Sequence, residues 1–69
     1  ALARDAAVGQ GESLTVLGDV MGVKAADRAL FAATIKANFS TVFADEHIAA
    51  NLKSVLAGHA QLSGYAAVI

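Results

Sequence analysis

Sixty-nine residues without a cysteine amount to one domain at most, with no disulfide or thiolate metal site to staple it. A chain this short buries only about 60% of its unfolded surface. The formal charge of −1 comes from five basic and six acidic residues, and the cations Arg4, Lys24, Arg28, Lys36 and Lys53 form no cluster. That argues against a nucleic-acid partner, whose phosphates require a basic stripe, and equally against a basic helix lying on a membrane surface.

The chain is 57% hydrophobic with a mean hydropathy of +0.57. Much of this is alanine, which favours helix and buries little area per residue. No uncharged apolar run approaches the roughly 18–20 residues that span a bilayer; the longest clean stretch is Tyr65 to Ile69. The chain starts Ala-Leu-Ala, with neither an initiator Met nor a charged region leading into an apolar core, so the expectation is a fragment or processed part of a longer precursor.

Proline is absent and six glycines act as punctuation. Between them apolar residues recur at helical spacing, and alternation of period two never lasts. The predicted fold class is all-α: a small three-helix antiparallel bundle with a short C-terminal helical turn, forming a single helical domain over residues 1–69.

The first segment runs from about Leu2 to Met21. Leu14, Leu17 and Met21 form its stripe, widened by Val16 and Val20. Ala3, Ala7, Gly11, Leu14 and Gly18 line up at three- and four-residue intervals, which makes Gly9, Gly11 and Gly18 candidate close-packing glycines. Gly9 and Gly11 each weaken a helix by about 1 kcal/mol relative to Ala, so the segment is either one helix carrying that cost or a helix bent near Gly9. Gly22 suits the left-handed position beyond a helix end.

The second segment, about Ala25 to Phe43, carries Phe31, Ile35, Phe39, Val42 and Phe43 on one face with Leu30 at its edge. Lys24 marks its boundary, and Asp27 lies in the first turn, where its charge suits the helix dipole. Asp45 is the predicted N-cap of a third helix, Glu46 to Ala57, that buries Ile48, Leu52, Val55 and Leu56. Gly58 is its stop. His59 to Ile69 reads as a helical turn around Leu62 and Tyr65, followed by a frayed apolar tail.

Candidate chemistry is sparse. Gly9-Gln10-Gly11-Glu12 looks like a phosphate-cradling turn ahead of a helix. However, the third glycine of the dinucleotide pattern would fall at Leu14, no strand precedes the turn, and no Lys or Arg follows it closely. The structural reading, a bend or a close backbone approach, is favoured. Asp5, Glu12 and Asp19 recur every seven residues and share one side of a continuous helix. At about 10 Å apart along the axis they are too far apart to hold one cation. Asp45-Glu46-His47 and His59 have ligand-type side chains without helical ligand spacing. Ser13, Ser40, Ser54 and Ser63 sit in no nucleophile elbow or triad frame, and so short a chain leaves little room for a pocket. Asn38 and Asn51 fall inside predicted helices, where the pattern leaves their orientation open.

Several motifs in order resemble a known family. Gly9-Gln10-Gly11-Glu12, Gly22-Val23, Asp27-Arg28, Phe31-Ala32, Asn38-Phe39 with Phe43, then Val55-Leu56, Leu62 and Tyr65-Ala66 together resemble the C-terminal half of DUF3015, a bacterial family of unknown function. The resemblance covers nearly the whole chain, and motif order and spacing carry it more than any single motif. It implies an exported protein, periplasmic or extracellular, with a signal peptide and an upstream glycine-, serine- and threonine-rich region containing cysteines. Two departures bear on the third helix and its entry: the stretch between Phe43 and Leu56 is about a turn shorter, and Ala25 stands where proline is common. The family supplies no functional residues to transfer.

The functional expectation is a non-catalytic structural or accessory subunit of a bacterial envelope or extracellular assembly, with no catalytic residue, metal or cofactor. It would pack against protein subunits, in a homo-oligomer or a larger envelope complex. Phe31, Phe39, Phe43, Tyr65, Val68 and Ile69 exceed what three short helices cover and are the expected interaction surface. The alternative is a small periplasmic binding module for an apolar or metal ligand.

Overall fold

Glycine decides where the first apolar stripe breaks. In a computed structural model describing all 69 residues, α1 (Leu2–Val8) ends at Gly9, whose φ of 82° is left-handed. The Gly9 and Gln10 N–H groups both donate to the Asp5 carbonyl, at 2.7 and 3.1 Å, which satisfies an otherwise orphaned acceptor of the last turn. Gly11, at φ 135°, then starts α2 (Glu12–Val20) in a new direction. The chain thus takes the bent form of the first segment. Asp5, Glu12 and Asp19 consequently do not share one continuous helix.

The end of α2 follows the sequence reading. Gly22 is left-handed at φ 70°; its N–H reaches Asp19 O at 3.1 Å and that of Val23 reaches Gly18 O at 2.9 Å. Val23, the residue after the glycine, is buried.

The second segment departs from expectation. It opens as a 3-10 turn, Ala25–Asp27, continues as α3 (Arg28–Ala37), and is interrupted at Asn38 before the single turn of α4 (Phe39–Val42). Asn38 leaves helical geometry at φ −110°, ψ 22°, and its side-chain amide donates back to Thr34 O at 2.8 Å. Asparagine competes in this way for the backbone acceptors of a helix, which is why it disfavours helix interiors.

The third helix, α5 (Ile48–Ala57), stops where expected but starts two residues late, with His47 at its N-cap. Asp45 does not cap it. Its Oδ1 instead accepts the His47 N–H at 2.8 Å, closing a tight turn ahead of the helix and leaving Glu46 outside it. The expected frayed tail is instead part of a 3-10 helix, Ser63–Val68.

All elements are helical, and α3 is the hub, packing against α1, α2, α4 and α5. The core consists of Ala6, Leu14, Met21, Val23, Phe31, Ile35, Val42, Leu52, Leu56, Leu62 and Ala66. The accessible surface is 4096 Å², against about 4,000 Å² for a folded monomer of this mass. Most of the large apolar side chains are therefore covered by the chain itself. Phe31, expected at an interaction surface, is 1% exposed and belongs to the core. No helix is long and apolar enough to cross a membrane.

Candidate functional site

The features singled out in the sequence converge on α2, and most of their polar groups are already engaged. The Asp5 Oδ2 atom on α1 accepts the Ser13 N–H at 2.8 Å and the Leu14 N–H at 3.4 Å. It thus serves as the N-terminal cap of α2 from across the bend, where its charge also suits the positive end of the helix. Gly11 is what admits it: a Cβ there would overlap the Asp5 carboxylate. The helix start behind the glycine-rich turn therefore already holds an anion, a carboxylate of the chain itself, and two N–H donors in the first turn of α2 are spent on it.

The other end of α2 is held by Arg28 from the first turn of α3. Its Nε donates to Val23 O at 2.7 Å, one terminal nitrogen to Thr15 O at 3.3 Å, and the other to Asp19 Oδ1 at 2.7 Å. Gly18 is buried, and a Cβ on it would come within 2.7 Å of the guanidinium. The close approach at Gly18 thus accommodates a flat cation in place of a second helix backbone. Gly9 packs on the stem of Lys36, whose Cδ would lie 3.0 Å from an added Cβ.

Between the Gly9–Gly11 turn, α2 and α3 lies a surface cleft of about 340 Å³, lined by Leu14, Thr15, Arg28, Ala29, Phe31 and Ala32 together with that turn. Its walls are mainly apolar, and its one cation is the already engaged Arg28.

A second polar cluster joins the two ends of the α3–α5 half. The Tyr65 hydroxyl donates to Asp27 Oδ2 at 2.5 Å and accepts the Lys24 N–H at 3.1 Å, while the Gln61 amide donates to Asp27 Oδ1 at 3.3 Å. The hydrogen bonds from Tyr65 and then Gln61 hold the Asp27 carboxyl below its ordinary 3.8. Donation to Asp27 holds the Tyr65 phenol above its ordinary 10.0, because a phenolate would face a carboxylate. The His47 N–H and then the Asn51 side chain hold Asp45 low as well.

Both carboxylates bind protons less readily in the folded state than in the unfolded one. Their contribution to stability is in place above pH 3.8 and is lost as pH falls through their depressed folded values. Tyr65 has the opposite sign: its contribution is in place below pH 10.0 and is lost as pH rises through its elevated folded value. The chain has a single tyrosine, so ultraviolet titration of phenolate reads this site alone. The expected midpoint lies above 10.0, and Asp27→Asn lowers it; a wild-type midpoint at the ordinary value would show that the hydrogen bond does not form in solution.

The remaining ligand-type residues do not assemble into a site. Asp45 faces His47 Nδ1 at 3.5 Å, and no three His, Asp or Glu side chains gather into a group able to hold a metal. The Ser63 hydroxyl donates to Ala60 O. Asn51 is oriented by two acceptors, Val42 O at 3.3 Å and Asp45 Oδ1 at 3.0 Å, and so ties the α4–α5 turn to α5.

Of the other residues expected at an interaction surface, Phe39, Phe43 and Tyr65 are half-buried against the core. Phe39 and Phe43 stack on each other with ring centroids 4.9 Å apart. Val68 is 61% exposed and Ile69 is at the margin of exposure. The sequence reading placed Val16 and Val20 inside the buried stripe of the first helix. Instead Val16 is 50% and Val20 79% exposed, one turn apart on the outer side of α2. Leu14 and Gly18 face inward, and at about 100° per residue Val16 and Val20 fall on the opposite side of the same helix.

No curated protein matches the chain, and neither does any solved structure. The family model described as "Protein of unknown function (DUF3015)" matches residues 1–66, and with all but the last three residues accounted for, the chain belongs to that family.

Proposed function

We propose that this domain is a non-catalytic packing module of an exported bacterial assembly, in the envelope or outside the cell, and that it presents α2 to another protein subunit. The observation that carries the reading is the pair Val16 and Val20. Two β-branched aliphatics stand in water on a helix where neither propensity nor burial within the chain rewards them. That helix is fixed at one end by Asp5 and at the other by Arg28. An apolar face held rigid before binding loses little freedom on docking. In this reading α1–α2, α3–α4 and α5 are the three antiparallel arms of a small bundle, with one arm left partly uncovered for a neighbour. The family likeness supports the exported setting.

Each buried valine stabilises a complex by about 1.5 kcal/mol, so Val16→Asp together with Val20→Asp weakens association by about a hundredfold. A photo-crosslinking residue substituted for Val20 within the full-length gene product, in its own cells, is expected to give a discrete protein adduct that the same residue in place of exposed Ala33 does not. The adduct disappears with aspartate at position 16. Absence of an adduct at 20, or the same adducts from 33, overturns the reading, as does recovery of the protein with the cytosolic fraction.

A second reading, a module for an apolar small molecule, draws on the cleft beside Leu14 and Phe31. Its 340 Å³ falls at the low end of the range for ligand pockets. Native mass spectrometry of protein purified from its own cells separates the two, since a stoichiometric small-molecule adduct supports the second.

A further inference from the structure

The C-terminal segment is attached to the rest of the molecule unlike any other element. Ser63–Val68 is a 3-10 helix of six residues, whereas such helices seldom exceed three or four because their hydrogen bonds are poorly aligned. Its persistence therefore depends on tertiary contacts. Two of these are apolar: Leu62 and Ala66 reach the core while the segment lies along α5. The rest are polar and converge on one short stretch, with Tyr65 and Gln61 meeting Lys24 and Asp27.

The connection to α5 is irregular from Gly58 to Gln61. Within it, His59 Nδ1 is shut off from solvent with no hydrogen-bond partner, an arrangement that costs free energy and that opening would relieve by hydration. Gly64, Ala67, Val68 and Ile69 are exposed, so nothing overlies the segment on its outer side.

We infer that residues 59–69 form a hinged latch, which opens as a unit from α5 while α1–α5 stay folded, and that the seat of the Tyr65 hydroxyl at Lys24 and Asp27 holds it shut. Opening withdraws Leu62 and Ala66 from the core and bares apolar surface along α5. Sub-global units open at a cost below that of global unfolding, and hydration of the orphaned His59 Nδ1 lowers that cost here.

Native-state hydrogen exchange on the intact chain tests this through the Leu62, Tyr65 and Ile69 amides, which donate to His59, Leu62 and Ala66 carbonyls inside the segment. In wild type these amides are expected to exchange at least about tenfold faster than the Met21 and Asn38 amides of the α2 and α3 ends, with one shared denaturant dependence that is measurable but smaller than that of global unfolding, because only the surface under the latch is exposed. Tyr65→Phe is expected to accelerate them about tenfold further, the effect of losing a hydrogen bond to a charged acceptor, with Met21 and Asn38 unchanged. Asp27→Asn, which keeps the tyrosine, should give the same selective acceleration. One shared rate for both groups in wild type overturns the inference. So does a Tyr65→Phe effect that is absent, or that accelerates both groups alike.

Discussion

Phe31→Ala is expected to leave the domain largely unfolded at 37 °C. Phe31 lies near the middle of α3, the helix that touches α1, α2, α4 and α5, and it is among the largest fully buried side chains. Removing a buried phenyl ring costs about 3–5 kcal/mol, the lost transfer energy plus the cavity left behind. A domain of 69 residues has only about 3–10 kcal/mol to lose. At about 4–8 °C per kcal/mol for a domain of this size, the melting temperature falls by about 12–40 °C. Phe43→Ala supplies the contrast. Its ring is half-buried and stacks on Phe39, so its removal costs about 1–2 kcal/mol, part of the area burial and the ring–ring contribution. Thermal melts followed by circular dichroism decide the matter: equal losses for the two variants would mean that α3 is not the hub.

The difference between those two phenylalanines also shows how far the sequence could be read. Helical spacing identified the apolar stripe of the second segment, and its members Phe31, Ile35 and Val42 are buried. Spacing did not reveal that Asn38 interrupts the helix, because the interruption depends on which acceptor the asparagine side chain finds. A count of apolar residues against chain length does not tell which rings turn inward, so Phe31 falls both on the helix stripe and in the expected interaction surface, and the structure places it in the core. The cap at Gly22 was legible because a glycine after the last periodic residue is a local signal. The Asp5 cap and the Arg28 clamp were not, since both join residues on different helices through a bend whose direction only the packed structure sets. Tyr65 and Asp27 lie 38 positions apart, a separation at which no local pattern operates. At the candidate site, the stripe widened to include Val16 and Val20 spans more of α2 than the chain covers: Leu14 and Gly18 are buried, and the two valines on the opposite side are exposed.

Arg28→Lys is expected to be almost as damaging as Arg28→Met, although it keeps the charge. The guanidinium spreads three donors in one plane over three acceptors: the Val23 carbonyl in the loop, the Thr15 carbonyl in α2 and the Asp19 carboxylate at its end. A lysine ammonium is a compact donor on a flexible stem and cannot reproduce that fork. It also lacks the flat face on which Gly18 packs. At about 0.5–1.5 kcal/mol per hydrogen bond, losing two or three of them costs about 1–4 kcal/mol. The Coulombic share with Asp19 is small, because both side chains are partly in water. The loss therefore changes little between low salt and 1 M salt, which separates a geometric clamp from a surface ion pair. Gly18→Ala tests the same lock from the other side, since the added methyl group displaces the guanidinium. Combined with Arg28→Met it should cost less than the two single losses added together, because both remove one interaction. Chemical denaturation of the four proteins yields that coupling directly. Simple additivity, or a lysine variant as stable as wild type, would show that α2 is oriented by something other than Arg28 and would remove half of the support for a rigidly presented Val16–Val20 face.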